Sequence, residues 1–223
     1  MCNLYGSTDR KTLRTLTFVQ VPDDLPDAPA VVGPLAQGWF IGQQGLVCSG
    51  QWGMIPPGSP TRRPVSPSTG RPLSTNNARS ETVTEKPSYR TAWRQRQFGL
   101  VLVDDFYEPS YESGKAVRWK IQLASGDPFA IACLWDRWRD PQTGEVLVSF
   151  SMLTVNADQH PVMRQFHKPG DEKRTPVVMA PHLHDQWLSA NTAQALELMA
   201  LNHMPELKAF SAPSTVATRQ QMA

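Results

Sequence analysis

A chain of 223 residues, 40% hydrophobic and 19% charged, is long enough to close one substantial core, and its 20 prolines announce many loops. A net charge of +2 neither requires nor excludes a polyanionic partner, because a local basic patch fits within it. Three cysteines at wide spacings (Cys2, Cys48, Cys133), with no Cys-x-x-Cys and no His-x-x-x-His, argue against a disulfide framework or a metal site; no apolar run spans a bilayer and residues 1–11 lack a signal-peptide core, so a cytoplasmic protein is expected, nucleoid-associated in a bacterium.

After Met1-Cys2-Asn3-Leu4-Tyr5, residues 13–21 are rich in threonine and β-branched side chains and read as a strand or a short helix. Prolines recur too often in 22–34 for anything but loop. Residues 46–54 read as a strand ending in Gln51-Trp52-Gly53-Met54, and 55–74 as a Pro/Ser/Arg-rich loop whose Arg62, Arg63 and Arg71 coat the surface. A short amphipathic helix is expected over 86–97, after which the apolar run 99–104 is the strongest buried strand and leads into Asp105-Phe106-Tyr107-Glu108. Strands at 116–123, 129–134 and 145–155 are separated by turns at Gly126-Asp127-Pro128 and Pro141-Gln142-Thr143-Gly144, a hairpin-like succession that favours antiparallel sheet over βαβ units. Residues 156–167 are irregular or briefly helical and 177–179 a short strand; 182–190 and 191–200 are helices, the second capped by Asn191 or Thr192. The expected architecture is one α+β domain over 2–212 with a disordered tail at 213–223.

Chemistry concentrates at the start of the chain. Cysteine is small enough at the second position for an aminopeptidase to remove Met1, which leaves Cys2 with a free α-amine beside its thiol. The amine, ordinarily of pKa about 7.7–8.0, can condense with an aldehyde, and the thiol of the same residue can then close a five-membered thiazolidine ring on the imine carbon. Taken alone, Met-Cys more often describes an ordinary residue in a frayed terminus. Asn77 and Arg79 read singly as a turn cap and a surface charge, Glu108 as a solvated carboxylate, and His167 as a loop histidine.

Order and spacing change that reading. Terminal Met1-Cys2, Trp52-Gly53-Met54, Asn77-Ala78-Arg79-Ser80-Glu81-Thr82, an apolar strand running into Phe106-Tyr107-Glu108, Leu153-Thr154-Val155-Asn156-Ala157, and His167 ahead of Arg174-Thr175-Pro176-Val177-Val178 together resemble the SRAP family, the SOS-response-associated peptidase-like proteins whose members shield abasic sites in DNA by covalent capture. The resemblance implies curved, mainly antiparallel, barrel-like sheets with flanking helices, the terminal cysteine in a cleft, no cofactor, and a monomer whose partner is single-stranded DNA containing abasic sites. By the same resemblance Cys2 is the nucleophile, Asn77 hydrogen-bonds near the opened sugar, Glu108 lies beside the cysteine amine, and His167 assists ring opening and reversal. Arg79 and Arg174 resemble phosphate-contacting arginines, and Trp52 an aromatic packed beside the lesion.

A histidine and a carboxylate can share the proton transfers of ring opening, and arginines can grip phosphates around a lesion that offers no base to read. The chain departs from the family pattern at Leu4, where many members carry arginine, at Pro109, where tryptophan is common, and in the long segment between His167 and Arg174. His160 is a rival for the role of His167. Two other classes compete: an N-terminal cysteine peptidase or amidohydrolase with autocatalytic removal of Met1, and a noncovalent DNA-binding domain whose cysteine is incidental.

Overall fold

The computed structural model describes residues 2–213. All but Pro213 of the tail expected at 213–223 lies outside the described residues. Twelve strands form one sheet: β1 (Tyr5–Ser7), β2 (Val31–Val32), β3 (Gln37–Ile41), β4 (Val47–Trp52), β5 (Asn77–Arg79), β6 (Phe98–Ser110), β7 (Val117–Leu123), β8 (Phe129–Arg139), β9 (Val146–Asn156), β10 (Arg174–Pro176), β11 (Val178–Met179) and β12 (Leu207–Ser211). Four short helices flank it: α1 (Arg10–Leu13), α2 (Arg90–Arg94), α3 (His184–Ser189) and α4 (Thr192–Leu198). This is the expected α+β domain.

The sheet closes on itself. β6 pairs with β8, β8 with β9, β9 with β4, β4 with β3, and β3 returns to β6 through Ile41 opposite Leu100. The pairings are mainly antiparallel, as expected, with β4–β9 and β5–β9 parallel. Period-two alternation then sorts the side chains. Phe40, Val101, Val103, Ile131, Cys133, Phe150 and Met152 meet inside the strands, while Ile41, Leu100, Leu102, Ala130, Ala132 and Leu134 face outward against Trp93 of α2 and Trp187 of α3.

β6 is longer than the sequence reading. Its first half, Phe98 to Val103, pairs with β8, and its second half, Phe106 to Ser110, pairs with β7, so Glu108 lies within a strand and not just past one. β1 lies against the changeover, with a bulge between Gly6 and Ser7. A Cβ at Gly6 would stand 2.8 Å from the buried Asp105 carboxylate, so any larger residue would have to displace that side chain where β1 approaches β6. That approach draws the chain's first residues into the core.

Several expected elements differ. Residues 13–21 hold only the end of α1, since Asp9 caps a single turn by accepting from the Thr12 amide; Leu16, Phe18 and Val19 then pack on the outer core as irregular chain. The helix expected over 86–97 shrinks to α2, which ends at Arg94 and is followed, after Gln95, by Arg96 with a left-handed φ of 55°. The capping box at Asn191 and Gln194 starts α4 as expected. β1, β2, β3, β5 and β12 have no counterpart in the sequence reading, and β2 falls within the 22–34 stretch read as loop, because runs of two to five residues carry too few periods of alternation.

Candidate active site

Cys2 is fully buried, and neutral amides hold its backbone. The Asn76 and Asn77 side-chain amides both donate to the Cys2 carbonyl oxygen, at 3.1 and 2.7 Å. Asn77 belongs to β5, which runs parallel to β9 with Asn77 opposite Met152. Each asparagine is braced from behind: the Trp52 indole N–H donates to the Asn76 carbonyl at 2.9 Å, and the Tyr89 hydroxyl to the Asn77 carbonyl at 3.0 Å. The Asn77 Oδ1 is buried with no hydrogen-bond partner among the described residues, which leaves an unsatisfied acceptor on the residue that holds the Cys2 carbonyl.

The Cys2 thiol donates to the Leu4 carbonyl oxygen at 3.4 Å. Burial pushes its pKa well above the ordinary thiol value, and the negative charge of Glu108 pushes it the same way. The resting sulfur is therefore a thiol.

Glu108 and His167 meet in the wall of a cleft of about 430 Å³, which is also lined by Leu4, Tyr107, Pro109, Tyr111, Arg118 and Lys168. His167 Nε2 lies 3.2 Å from Glu108 Oε2, with both side chains largely or wholly buried. Backbone contacts deliver the histidine: Phe166 forms a bridge with Ser110, and the His167 N–H donates to the Pro109 carbonyl at 3.1 Å. Its φ of 67° is left-handed, a conformation costly for a side chain of this size and found where surrounding contacts fix it.

His160 has a different job. Its Nδ1 accepts from the amides of Val162 and Met163, and burial lowers its pKa, so it caps the turn that leads to His167.

The residues expected to touch phosphate part company. Arg79 is half-exposed and pairs with Glu172 at 2.9 Å. Arg174 is 2% exposed and its guanidinium is occupied by Glu81, Glu172 and Thr154, so it organises carboxylates and does not face the cleft. Trp52 likewise does not line the cleft; it is wholly buried, edge-on to Tyr5 at 4.9 Å. The aromatic rings that do line it are Tyr107 and Tyr111, with the Arg118 guanidinium 4.9 Å from the Tyr107 ring.

Sequence reasoning missed Asn76, Arg118, Tyr107 and Glu172. The tandem Asn76-Asn77 was a usable signal for the first. Arg118 needed the β6–β7 register, which puts it opposite Pro109. Among the described residues no group of three His, Cys, Asp or Glu is arranged to hold a metal ion, and no helix is long and apolar enough to cross a membrane.

The model of the family described as SOS response associated peptidase (SRAP) matches residues 31–218, most of the chain. The chain belongs to the SRAP family. The matched span begins after Cys2, so Cys2 is tied to the rest of the candidate site by the geometry above and not by the family match. Among its relatives is the abasic site processing protein YoqW of Bacillus subtilis, 28% identical over 152 residues that make up 68% of this chain and 61% of that protein. Another is the abasic site processing protein HMCES of Xenopus tropicalis, 26% identical over 165 residues, 66% of this chain and 47% of that one. The chain thus spans about half to three fifths of the length of these relatives. A solved structure of a Bordetella bronchiseptica protein shares the SRAP fold with a TM-score of 0.82 and 32% identity, covering 96% of this chain and 100% of that one.

Proposed function

We propose that this protein captures abasic sites in single-stranded DNA, acting as a monomer through a thiazolidine between Cys2 and the ring-opened deoxyribose. The observation that carries the reading is Cys2 clamped by Asn76 and Asn77 near enough to Glu108 for that carboxylate's charge to act on its thiol, with Glu108 in turn paired to His167. Two relatives are named as abasic site processing proteins.

The chemistry proceeds in a fixed order. While Met1 is attached, the Cys2 nitrogen is an amide and cannot condense; once Met1 is removed it is an amine. His167 and Glu108 move protons at the ring oxygen and anomeric hydroxyl, which opens the sugar to its aldehyde. The amine attacks the aldehyde carbon, water leaves, and an imine forms. The Cys2 sulfur then bonds to the imine carbon while the thiol proton passes to nitrogen, closing the ring without further loss of atoms. A thiol held protonated by burial and by Glu108 fits a second step better than a first one, so the amine leads. The same feature weighs against peptide hydrolysis by Cys2, which needs a thiolate at the outset. Asn77 Oδ1 can accept from a sugar hydroxyl, and Arg79, Arg118 and Lys168 supply positive charge for the phosphates on either side. Tyr107 and Tyr111 offer faces on which unpaired bases can stack.

Intact mass spectrometry tests this directly. After incubation with an abasic single-stranded oligonucleotide and a denaturing quench, the chain lacking Met1 should gain the oligonucleotide mass less one water. Absence of that species, or its undiminished formation by Cys2→Ala, overturns the proposal; turnover of a small amide without DNA would put the peptidase reading in its place.

A further inference from the structure

We propose that the Glu172 carboxylate holds the place of a backbone phosphate at Arg79, so that single-stranded DNA enters this end of the site by exchange with Glu172. The inference rests on the DNA-binding reading above and adds a residue that tunes it.

Glu172 bridges two arginines, with Oε2 2.9 Å from Arg79 Nη1 and Oε1 2.5 Å from Arg174 Nη1. Arg174 is well supplied without it. Its Nη2 donates to Glu81 Oε2 and to the Thr154 carbonyl, both at 2.8 Å, its Nη1 to Glu81 Oε1 at 3.2 Å, and its Nε to the Thr154 hydroxyl at 3.2 Å. Arg79 is not: among the described residues Glu172 is its one ion-pair partner, and half of its side chain faces solvent.

A carboxylate and a phosphate offer a guanidinium the same kind of charged oxygens, so one can replace the other at Arg79. The pair is exposed enough to be weak, which makes the exchange easy. It is also local. Lys173 donates to the carbonyls of His167 and Lys168, and His167 is tied to Pro109, so releasing Glu172 from Arg79 need not disturb the histidine.

The consequence is selectivity. Glu172 competes with every phosphate that approaches Arg79, so an undamaged strand is held loosely. An abasic strand, once captured, is retained by a covalent bond that such competition does not touch.

The test is a double-mutant cycle read by fluorescence anisotropy with an undamaged single-stranded oligonucleotide at low salt, using the full chain, Glu172→Gln, Arg79→Ala and the double variant. Glu172→Gln should tighten binding about two- to fivefold, the size of an exposed ion pair, and the gain should vanish in the Arg79→Ala background. An equal gain in both backgrounds marks a general charge effect and overturns the exchange, as does no gain at all. Thermal melts accompany each variant, with Glu172→Ala as the substitute should Glu172→Gln not fold. A wild-type chain that neither binds the oligonucleotide nor forms the adduct overturns the DNA reading itself, whereas normal binding and adduct formation unaffected by Glu172→Gln overturn only the exchange.

Discussion

At the Cys2 end of the site the groups are fixed by backbone and by neutral amides: two asparagine side chains on one carbonyl, a β-bridge and an N–H···O bond behind His167, a strand beneath Glu108. At the Arg79 end they are held by charge, with two arginines and two glutamates interleaved and the outer members half in solvent. Bond-forming chemistry needs atoms held to fractions of an ångström, and amides provide that without titrating. Phosphates on a flexible strand need partners that can let go, and exposed ion pairs can do so.

The sharpest way to break this comparison is at Cys2. Cys2→Ala should abolish the adduct altogether, whereas Cys133→Ala should leave it intact, since Cys133 is an equally buried thiol with no catalytic group beside it and is raised in pKa by burial alone. Denaturing gels with abasic oligonucleotide read both. Next come Glu108→Gln and His167→Ala, each expected to slow capture by about a hundredfold to ten-thousandfold, the usual worth of a positioned proton donor or acceptor, in a quenched time course.

The charged end predicts a smaller and divided effect. Arg174→Ala should cost about 1–3 kcal/mol of stability by urea denaturation, because it leaves Glu81 and Glu172 without their buried partner while both carboxylates keep access to water. Arg79→Ala should stay within about 0.5 kcal/mol of wild type in stability, yet reduce the salt slope of single-strand binding by about 0.7, one phosphate contact. If the two variants behave alike, the distinction between an organising and a contacting arginine fails.

Much of the Cys2 end was legible in the sequence, because its residues come from segments whose type is set locally. The apolar run ahead of Glu108 is the strongest buried-strand candidate in the chain, and Asn77, Glu108 and His167 keep the order of the family pattern. What was not legible came from register. Arg174 and Trp52 look in sequence like any arginine and tryptophan near a nucleic-acid site, and only pairing of β10 with β9 and packing of Trp52 on Tyr5 show that both face inward. Arg118 was missed for the complementary reason, since a residue ten positions after Glu108 enters the cleft only once β7 folds back along β6. The surface expected of 55–74 is present, but its prolines and Val65 also line a second cleft with Asn77 and Arg79, which composition alone does not reveal.

The smallest expected effect separates the two histidines of the segment leading into the Cys2 end. His160 caps a turn as a neutral acceptor, and burial lowers its folded pKa below the ordinary value of 6.5. A histidine depressed in the folded state binds its proton more readily when unfolded, so it contributes stability that is fully present above pH 6.5 and is lost as pH falls through the lowered folded value. His184, also lowered by burial, acts in the same direction. The melting temperature should therefore decline on acidification below about pH 6.5, and His160→Gln should flatten part of that decline while leaving the rate of capture within about twofold of wild type. Should His160→Gln instead slow capture by about a hundredfold or more and leave the melting curve's pH dependence unchanged, the roles of the two histidines are exchanged and the backbone-fixed end of the site has been drawn around the wrong one.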